Sequence, residues 1–517
     1  MKNIETQVLI IGGGITGTGL ARDLTLRGIE CILVEKADIN AGASGANHGL
    51  LHSGARYVSS DPGSAAECMR EAAILKKVAP ECIEDTGGLF VAVEGDDENY
   101  VADFPLLCEK SGIPVTVLDP VDAIEMEPAL SERVIAAYLV QDASIDPFKL
   151  SLENIEQARS LGGKLLRHSK VDHFEMNHKR IRATVVRNTL TGELSTIGAE
   201  QVINASGAWA KEIAALAGIA FSLTYSKGSL LVTHSRIAKR VVNRLRPSAN
   251  ADILVPGGTV SILGTTSVNI DSLDKIFPTV MEVDLMVAEA SAMLPILEKT
   301  RFIRAYAGVR PLFGSGSASD NRQISRSFAL LDHANDGVEN FVSITGGKLT
   351  TYRLMAEKTA DLVCRRMGIH FPCWTKTEPL PSVLSARWTK PDLSPISRVQ
   401  GNISDKTLLC ECEMVPESII DSLIASIRQR YGKPDLQSLG VRSRIGKGAC
   451  QGTFCSIRIS SHLYDTGALN GDQGISDLKS FLNERWRGVR PLLWNESLSQ
   501  AELQEALHCA MFGLELY

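Results

Sequence analysis

Hydrophobic positions start early in the chain and come as a block. Val8, Leu9, Ile10 and Ile11 form an unbroken apolar run, the pattern of a strand covered on both faces in a parallel sheet. Gly12, Gly14 and Gly17 then read GxGxxG, and a helix is predicted to about Arg27 before a second apolar run, Cys31 to Val34, ends on Glu35. From about residue 76 to 150 the pattern loosens into segments such as GGLFVAVEGDD and SGIPVTVLDP, strand-like runs broken by turn residues that read as an insertion. A helical stretch then leads to an apolar, small-residue strand, QVINASGAWA at 201 to 210, where the first sheet resumes. Residues 216 to 330 supply GSLLVTH, ADILVPG, VSILGTTS and RAYAGVRPLF, whose alternation and turns predict a mostly antiparallel sheet. The stretch NFVSITGGKLTTYRLMAEKTADLVCRR repeats strand, glycine turn and helix. Pro379, Pro381, Pro391 and Pro395, with several serines, mark a linker over 376–404. Beyond it, Ile419, Ile420, Leu423, Ile424 and Ile427 fall at helical spacing, the core face of a helix.

The elements predict an α/β chain with a discontinuous nucleotide-binding domain (1–75, 151–215 and 331–375) and a second domain from 76–150 and 216–330. A cysteine-bearing domain over 405–460 and a segment over 461–517 follow the linker. With 517 residues, the chain exceeds what one core organises. It is 44% hydrophobic and 22% charged, with no apolar run near the roughly 18 to 20 residues that span a bilayer, so any membrane association is expected to be peripheral. MKNIETQVLI enters the first strand without a leader pattern, which predicts a cytoplasmic protein. The net charge of −6 argues against a general nucleic-acid surface. Of eleven cysteines, Cys31, Cys68, Cys82, Cys108, Cys364, Cys373 and Cys509 are dispersed and four are clustered.

The glycines of GxGxxG differ in what they allow. Gly12 permits the tight turn, Gly14 the approach of a pyrophosphate, and Gly17 close packing of helix on sheet. Free N–H groups at the helix start favour the anion. Glu35 lies about twenty residues on, where a carboxylate accepts from ribose hydroxyls. A dinucleotide is therefore expected, and the fingerprint alone serves FAD and NAD equally. Cations stand in glycine or turn contexts: Arg56 after HSG, Arg310 in AGVRP, Arg326 in NRQISRS and Lys348 in GGK. His48 and His52, four apart in NHGLLH, offer neutral imidazoles as acceptors for an alcohol proton. Cys410 and Cys412, then after 37 residues Cys450 and Cys455, read CxC…CxxxxC. Four soft thiolates suit either iron–sulfur or zinc. Arg442, Arg444, Lys447 and the amides around Gly446, Gly448 and Gly452 are expected to offset the charge of such a centre.

IGGGITGTGLARDLTLRG (11–28) and GGKLTTYRLMA (346–356) resemble the two signature segments of FAD-dependent glycerol-3-phosphate dehydrogenases, and NHGLLHSGARYV (47–58), SKGSLLV (226–232) and AYAGVRPL (305–312) match further. With the C-terminal cysteines, the chain is similar to the catalytic A subunits of the anaerobic, quinone-linked branch. The resemblance implies an α/β fold: an FAD-binding Rossmann-like domain of the glutathione reductase/DAAO type, an inserted, mostly antiparallel α+β substrate domain, and a small C-terminal [2Fe-2S] domain like that of bacterioferritin-associated ferredoxin. It implies FAD-dependent oxidation of sn-glycerol 3-phosphate to dihydroxyacetone phosphate, with His52, Arg310 and Lys348 catalytic and Arg56, Tyr57 and Arg326 on the substrate. Gly12, Gly14, Gly17, Glu35, Ser44, His48, Gly207, Gly346 and Gly347 would hold FAD, and Cys410, Cys412, Cys450 and Cys455 the cluster. It further implies FMN in the complex, a second flavoprotein-like subunit, a membrane-anchoring iron–sulfur subunit, menaquinone as acceptor, and a place at the inner face of the cell membrane. A two-electron flavin beside a one-electron centre argues for dehydrogenase over oxidase. The competing expectations are an FAD-dependent 2-hydroxy acid or amino acid dehydrogenase, a non-catalytic electron-transfer subunit, and a zinc-stabilised C-terminal module.

Overall fold

The computed structural model describes residues 2–274, 276–314, 327–381, 407–430 and 432–514. Its first sheet is built on strand Lys2–Ile11, which runs parallel to Cys31–Val34 on one side and to Leu194–Asn204 on the other. Leu194–Asn204 also pairs in parallel with Phe341–Gly346. Val8, Leu9 and Ile10 are fully buried, as a strand covered on both faces requires. Because these four strands share one direction, Gly12, Glu35, Ala205 and Gly347 all emerge at the same edge of the sheet, the carboxyl edge where α/β sheets bind ligands. Helix Ile15–Leu26 and helix Tyr352–Arg366 pack side by side on one face, Gly19 lying against the Tyr352 ring. The expected strand over 201–210 stops at Asn204 and gives way to a short helical turn over Gly207–Trp209. Asn204 makes this turn: its amide donates to the carbonyl of Ala210, and its side-chain oxygen accepts from the Ser206 hydroxyl at 2.6 Å.

A second, nine-stranded sheet gathers strands from residues 88–140 and 223–313. At one end Leu223–Thr233 pairs antiparallel with Phe302–Phe313, Val260–Gly264 and Val268–Ile270. Among the described residues its single parallel joint is Val241–Arg244 against Gly88–Val93. Helix Val280–Ser291 packs beneath it, with Val283 and Met286 in a core shared with Leu231 and Leu263.

The cores divide differently from the expected boundaries. Leu75, Val78, Cys82, Ala143, Ile145 and Leu150 pack with Ile15 and Tyr352 of the first layer. Leu380, within the expected linker, is buried in the same cluster and donates its N–H to the Val78 carbonyl. In the C-terminal module, Leu423 and Ile427 of helix Glu417–Arg430 share one core with Ile459, Leu463, Leu478, Phe481 and Leu514. That core therefore runs past residue 460, because three helices from Cys455 to Phe512 complete it. No helix among the described residues is long and apolar enough to cross a membrane.

Candidate functional site

A cleft of about 960 Å³ opens between the two sheets, lined by the glycine turns of the first and by strands of the second. Its floor is backbone. Gly12 has φ +114°, and a Cβ there would stand 2.6 Å from the Ala205 carbonyl oxygen. At Gly17 a Cβ would overlap the Gly12 carbonyl oxygen at 1.9 Å, which is why helix and strand can lie so close. Ser44 accepts the Ile15 N–H at 3.0 Å, and its hydroxyl stands 3.0 Å from where a Cβ on Gly14 would lie. Glu35 accepts from the Gly13 N–H at 2.7 Å and the Ala37 N–H at 2.8 Å. Burial raises its carboxyl, while those two amides pull the other way. Gly207, Gly346 and Gly347, all at positive φ, line the cleft as a second backbone wall. Such a floor of glycines at a helix start fits a dinucleotide pyrophosphate.

The polar chemistry gathers in the same cleft. His52 faces Tyr57, with Nε2 3.5 Å from the phenol oxygen, and Lys348 Nζ lies 4.7 Å from the centre of the Tyr57 ring. His48 is 6.2 Å from His52, ring to ring, and its Nδ1 is enclosed without a partner among the described residues. Burial, then the charges of Arg310 and Arg56, lowers the His48 imidazole to about 3, so it is neutral at physiological pH. Arg310 lies flat over Gly228, where a Cβ would stand 2.5 Å from its guanidinium. It donates to the Thr266 carbonyl at 3.2 Å and to the Thr265 hydroxyl. Arg56 is bound by Asp252 and donates to the Arg244 carbonyl at 3.0 Å. Asp252, which also pairs with Arg246 at 2.8 Å, thus takes up part of the charge that Arg56 was expected to offer the substrate.

His48, His52, Arg56, Tyr57, Arg310 and Lys348 thus line one cleft with Gly12, Gly14, Glu35, Ser44, Gly207, Gly346 and Gly347. Gly17 sits just outside it, inside the first helix. Arg326 lies outside the described residues. Sequence reasoning missed the residues that aim the cations: Asp252 for Arg56, and Thr265 and Thr266 for Arg310. Their one signal was the hydroxyl run after the strand in VSILGTTS. Nor did it find Glu282, which accepts from Lys227 at 2.8 Å, Ser229 at 3.0 Å and Thr266 at 3.1 Å, fixing the turn that holds Arg310.

The four clustered cysteines also converge. The Cys455 thiol is in hydrogen-bond contact with Cys410 and Cys450, and Cys450 with Cys412. Backbone N–H groups point at the sulfurs: Gly452 and Phe454 at Cys450, Cys450 at Cys412, and Glu413 at Cys410. The Cys455 contact and these amides bring Cys450 down to about 5. Four converging sulfurs, those of Cys410 and Cys455 in buried residues and those of Cys412 and Cys450 in half-buried ones, met by amide donors, fit a thiolate-bound metal centre. Of the expected basic neighbours, Arg444 lies near Cys410 and pairs with Glu413 at 2.5 Å. Arg442 turns away to Asp38, at 2.9 Å, and Lys447 lies over the Phe148 ring.

Residues 7–362 match the FAD dependent oxidoreductase (DAO) family. The chain is 41% identical to the A subunit of the anaerobic glycerol-3-phosphate dehydrogenase of Escherichia coli (strain K12), covering all of this chain and 99% of that one. It is 38% identical to the protein of the same name from Haemophilus influenzae, over 99% and 94% of the two. Against the A1 subunit from Haloferax volcanii the identity is again 38%, over 97% and 90%. Among solved structures it resembles the FAD complex of Bacillus halodurans glycerol-3-phosphate dehydrogenase, with TM-score 0.68 and 22% identity over 95% of this chain and 97% of that one. Glycine oxidase from Geobacillus kaustophilus shares the fold at TM-score 0.58 and 21% identity, over 74% of this chain and 100% of that one. With the glycine-floored cleft at the carboxyl edge of its first sheet and relatives matched from end to end, the chain belongs to the FAD dependent oxidoreductases and, within them, to the anaerobic glycerol-3-phosphate dehydrogenase A subunits.

Proposed function

We propose that this chain oxidises sn-glycerol 3-phosphate to dihydroxyacetone phosphate with FAD in the glycine-floored cleft, and exports the electrons through a [2Fe-2S] centre to partner subunits and a quinone. The observation that carries this reading is the meeting of His52, Tyr57, Arg310 and Lys348 in the cleft that the GxGxxG turn floors. FAD, when bound, supplies the acceptor for the hydride leaving C2 of the substrate. His52 takes the hydroxyl proton at Nε2, with Tyr57 orienting the ring. Arg310 and Lys348 stabilise the negative charge that grows on the substrate oxygen as the proton leaves. Phosphate recognition goes to Arg56, with the donors Asp252 does not engage, and to Arg326, assigned by resemblance alone. His48, neutral and with Nδ1 unspent, faces the cofactor.

Cys410, Cys412, Cys450 and Cys455 hold the iron–sulfur centre, whose charge the surrounding amides and Arg444 offset. Two partners, one flavoprotein-like and one a membrane-anchoring iron–sulfur protein, carry the electrons on to menaquinone and hold the chain at the inner face of the membrane. FMN belongs to that wider complex, and no residue of this chain is assigned to it.

The test is anaerobic mixing of the FAD-loaded protein with glycerol 3-phosphate, glycerol and a 2-hydroxy acid while the flavin absorbance is recorded. Bleaching by glycerol 3-phosphate alone is expected. Bleaching by the carboxylate instead would reassign the substrate, and bleaching by none would leave the chain with electron transfer as its only role. Iron with acid-labile sulfide, and little zinc, is expected in the purified protein.

A further inference from the structure

We infer that the C-terminal cysteine module closes the dinucleotide site: Arg442 and Lys447 clamp the 36–46 loop over the cofactor, so that FAD retention depends on a module that does not touch FAD. This rests on the FAD site proposed above.

The loop leaves Glu35, and Lys36, Ala37 and residues 41–44 and 46 line the cleft. Asn40 donates its N–H to the Gly13 carbonyl at 3.0 Å, and Ser44 holds the Ile15 N–H, so the loop is tied directly to the phosphate-facing turn. The cysteine module reaches it twice, directly through Arg442 and, by way of the Phe148 ring, through Lys447. At its start Asp38, 4% exposed, accepts from Arg442 through both carboxylate oxygens, at 2.9 and 3.2 Å, and from Arg167 of the first layer at 2.6 Å. Burial alone would raise the Asp38 carboxyl, but Arg442 and then Arg167 hold it below its usual range. Near the loop's end the Phe148 ring packs against Gly45, 3.0 Å from where a Cβ would stand, and Lys447 Nζ lies 4.4 Å from the centre of that ring on the module's side. Arg442 is the last residue of helix Leu436–Arg442, and Lys447 is three residues before Cys450, so both clamps belong to the segment that carries the second pair of thiols. Arg167 and Phe148 remain when the module loosens, which makes the expected coupling moderate rather than absolute.

The experiment uses the full-length protein loaded with FAD and iron, and follows flavin fluorescence on dilution. Arg442→Ala is expected to weaken FAD binding roughly 10-fold, within the usual range for coupled sites, with iron content unchanged and Arg442→Lys restoring part of the loss. Should Arg442→Ala fail to accumulate, Lys447→Ala gives a smaller loss of the same kind. Because coupling is reciprocal, stripping FAD from the wild-type protein is expected to speed amide exchange in 436–445. Equal FAD affinity in wild type and variants, or exchange in 436–445 indifferent to FAD, overturns the clamp. Wild-type protein that binds no FAD at all would instead bring down the proposed function.

Discussion

The glycine-floored cleft and the cysteine module hold their groups by opposite means. In the cleft the binding surface is main chain: parallel strands of fixed register deliver Gly12, Ala205 and Gly347 to one edge, and their packing does not depend on a guest. In the module the site is side chain. Four thiols face one another across loops and short helices, with Cys410 and Cys455 each 1% exposed. Sulfurs brought so close repel once ionised, and a bound metal removes that repulsion. The first site is thus pre-formed by the fold, whereas the second, on the proposed reading, would help to fold its own domain once its metal is bound. The cleft should survive loss of its ligand, and the module should not.

The comparison breaks most sharply at two residues. Gly17→Ala sets a methyl 1.9 Å from the Gly12 carbonyl oxygen, backbone against backbone with nothing flexible to yield, at a cost of about 4 kcal/mol or more. The expected protein carries iron but no flavin, read from its absorbance spectrum. Cys455→Ser removes the sulfur that touches both Cys410 and Cys450. Iron should fall to background and the module should lose its cooperative thermal transition, while the flavin that remains bound is still bleached by substrate. Loss of substrate bleaching in the flavin that remains would show that the module shapes the reaction site and not only the retention of FAD.

Much of the cleft was legible because its determinants are local. A run of four apolar residues, three glycines and an acid within residues 8–35 are enough to place strand, turn and helix, and the same grammar recurs at 340–366. What stayed hidden depends on distance along the chain. Arg310 is aimed by a turn 44 and 45 residues earlier, and Arg442 meets Asp38 across 404 residues. Nearness to Cys450 along the chain suggested that Arg442 would attend the thiols, but a buried carboxylate is the stronger claim on a guanidinium, since either charge left unpaired in the interior is costly. The end of the module was misplaced for a related reason: helices after residue 460 carry their apolar residues toward a core nucleated earlier, and no break in the pattern marks where one core stops.

A gentler perturbation separates the cleft's floor from its chemistry. At Gly228 a Cβ would stand 2.5 Å from the Arg310 guanidinium. The obstacle here is the end of a flexible side chain, so Gly228→Ala should fold and bind FAD. Arg310 would leave Thr265 and Thr266, and a misplacement of that size is expected to lower kcat/KM roughly 100-fold. Steady-state kinetics beside a flavin titration checks it. A matching loss of FAD affinity would mean that Arg310 supports the cofactor rather than the reaction.

The smallest effect concerns the two histidines. His48 is lowered to about 3 in the folded protein, against about 6.5 when unfolded, so below about pH 6.5 the unfolded chain binds a proton that the folded one refuses. The neutral-His48 contribution to stability is therefore complete above pH 6.5 and drains away as pH falls toward 3. Between pH 6 and 4 the melting temperature of the FAD-loaded protein should fall more steeply in wild type than in His48→Gln, by roughly 1 °C per pH unit. Since His48 stays neutral across the working range, its replacement should leave the midpoint of the pH–rate profile in place. His52→Ala should remove the acidic limb of that profile. A midpoint that moves with His48 and not with His52 would reverse the two assignments and make the enclosed imidazole the proton acceptor.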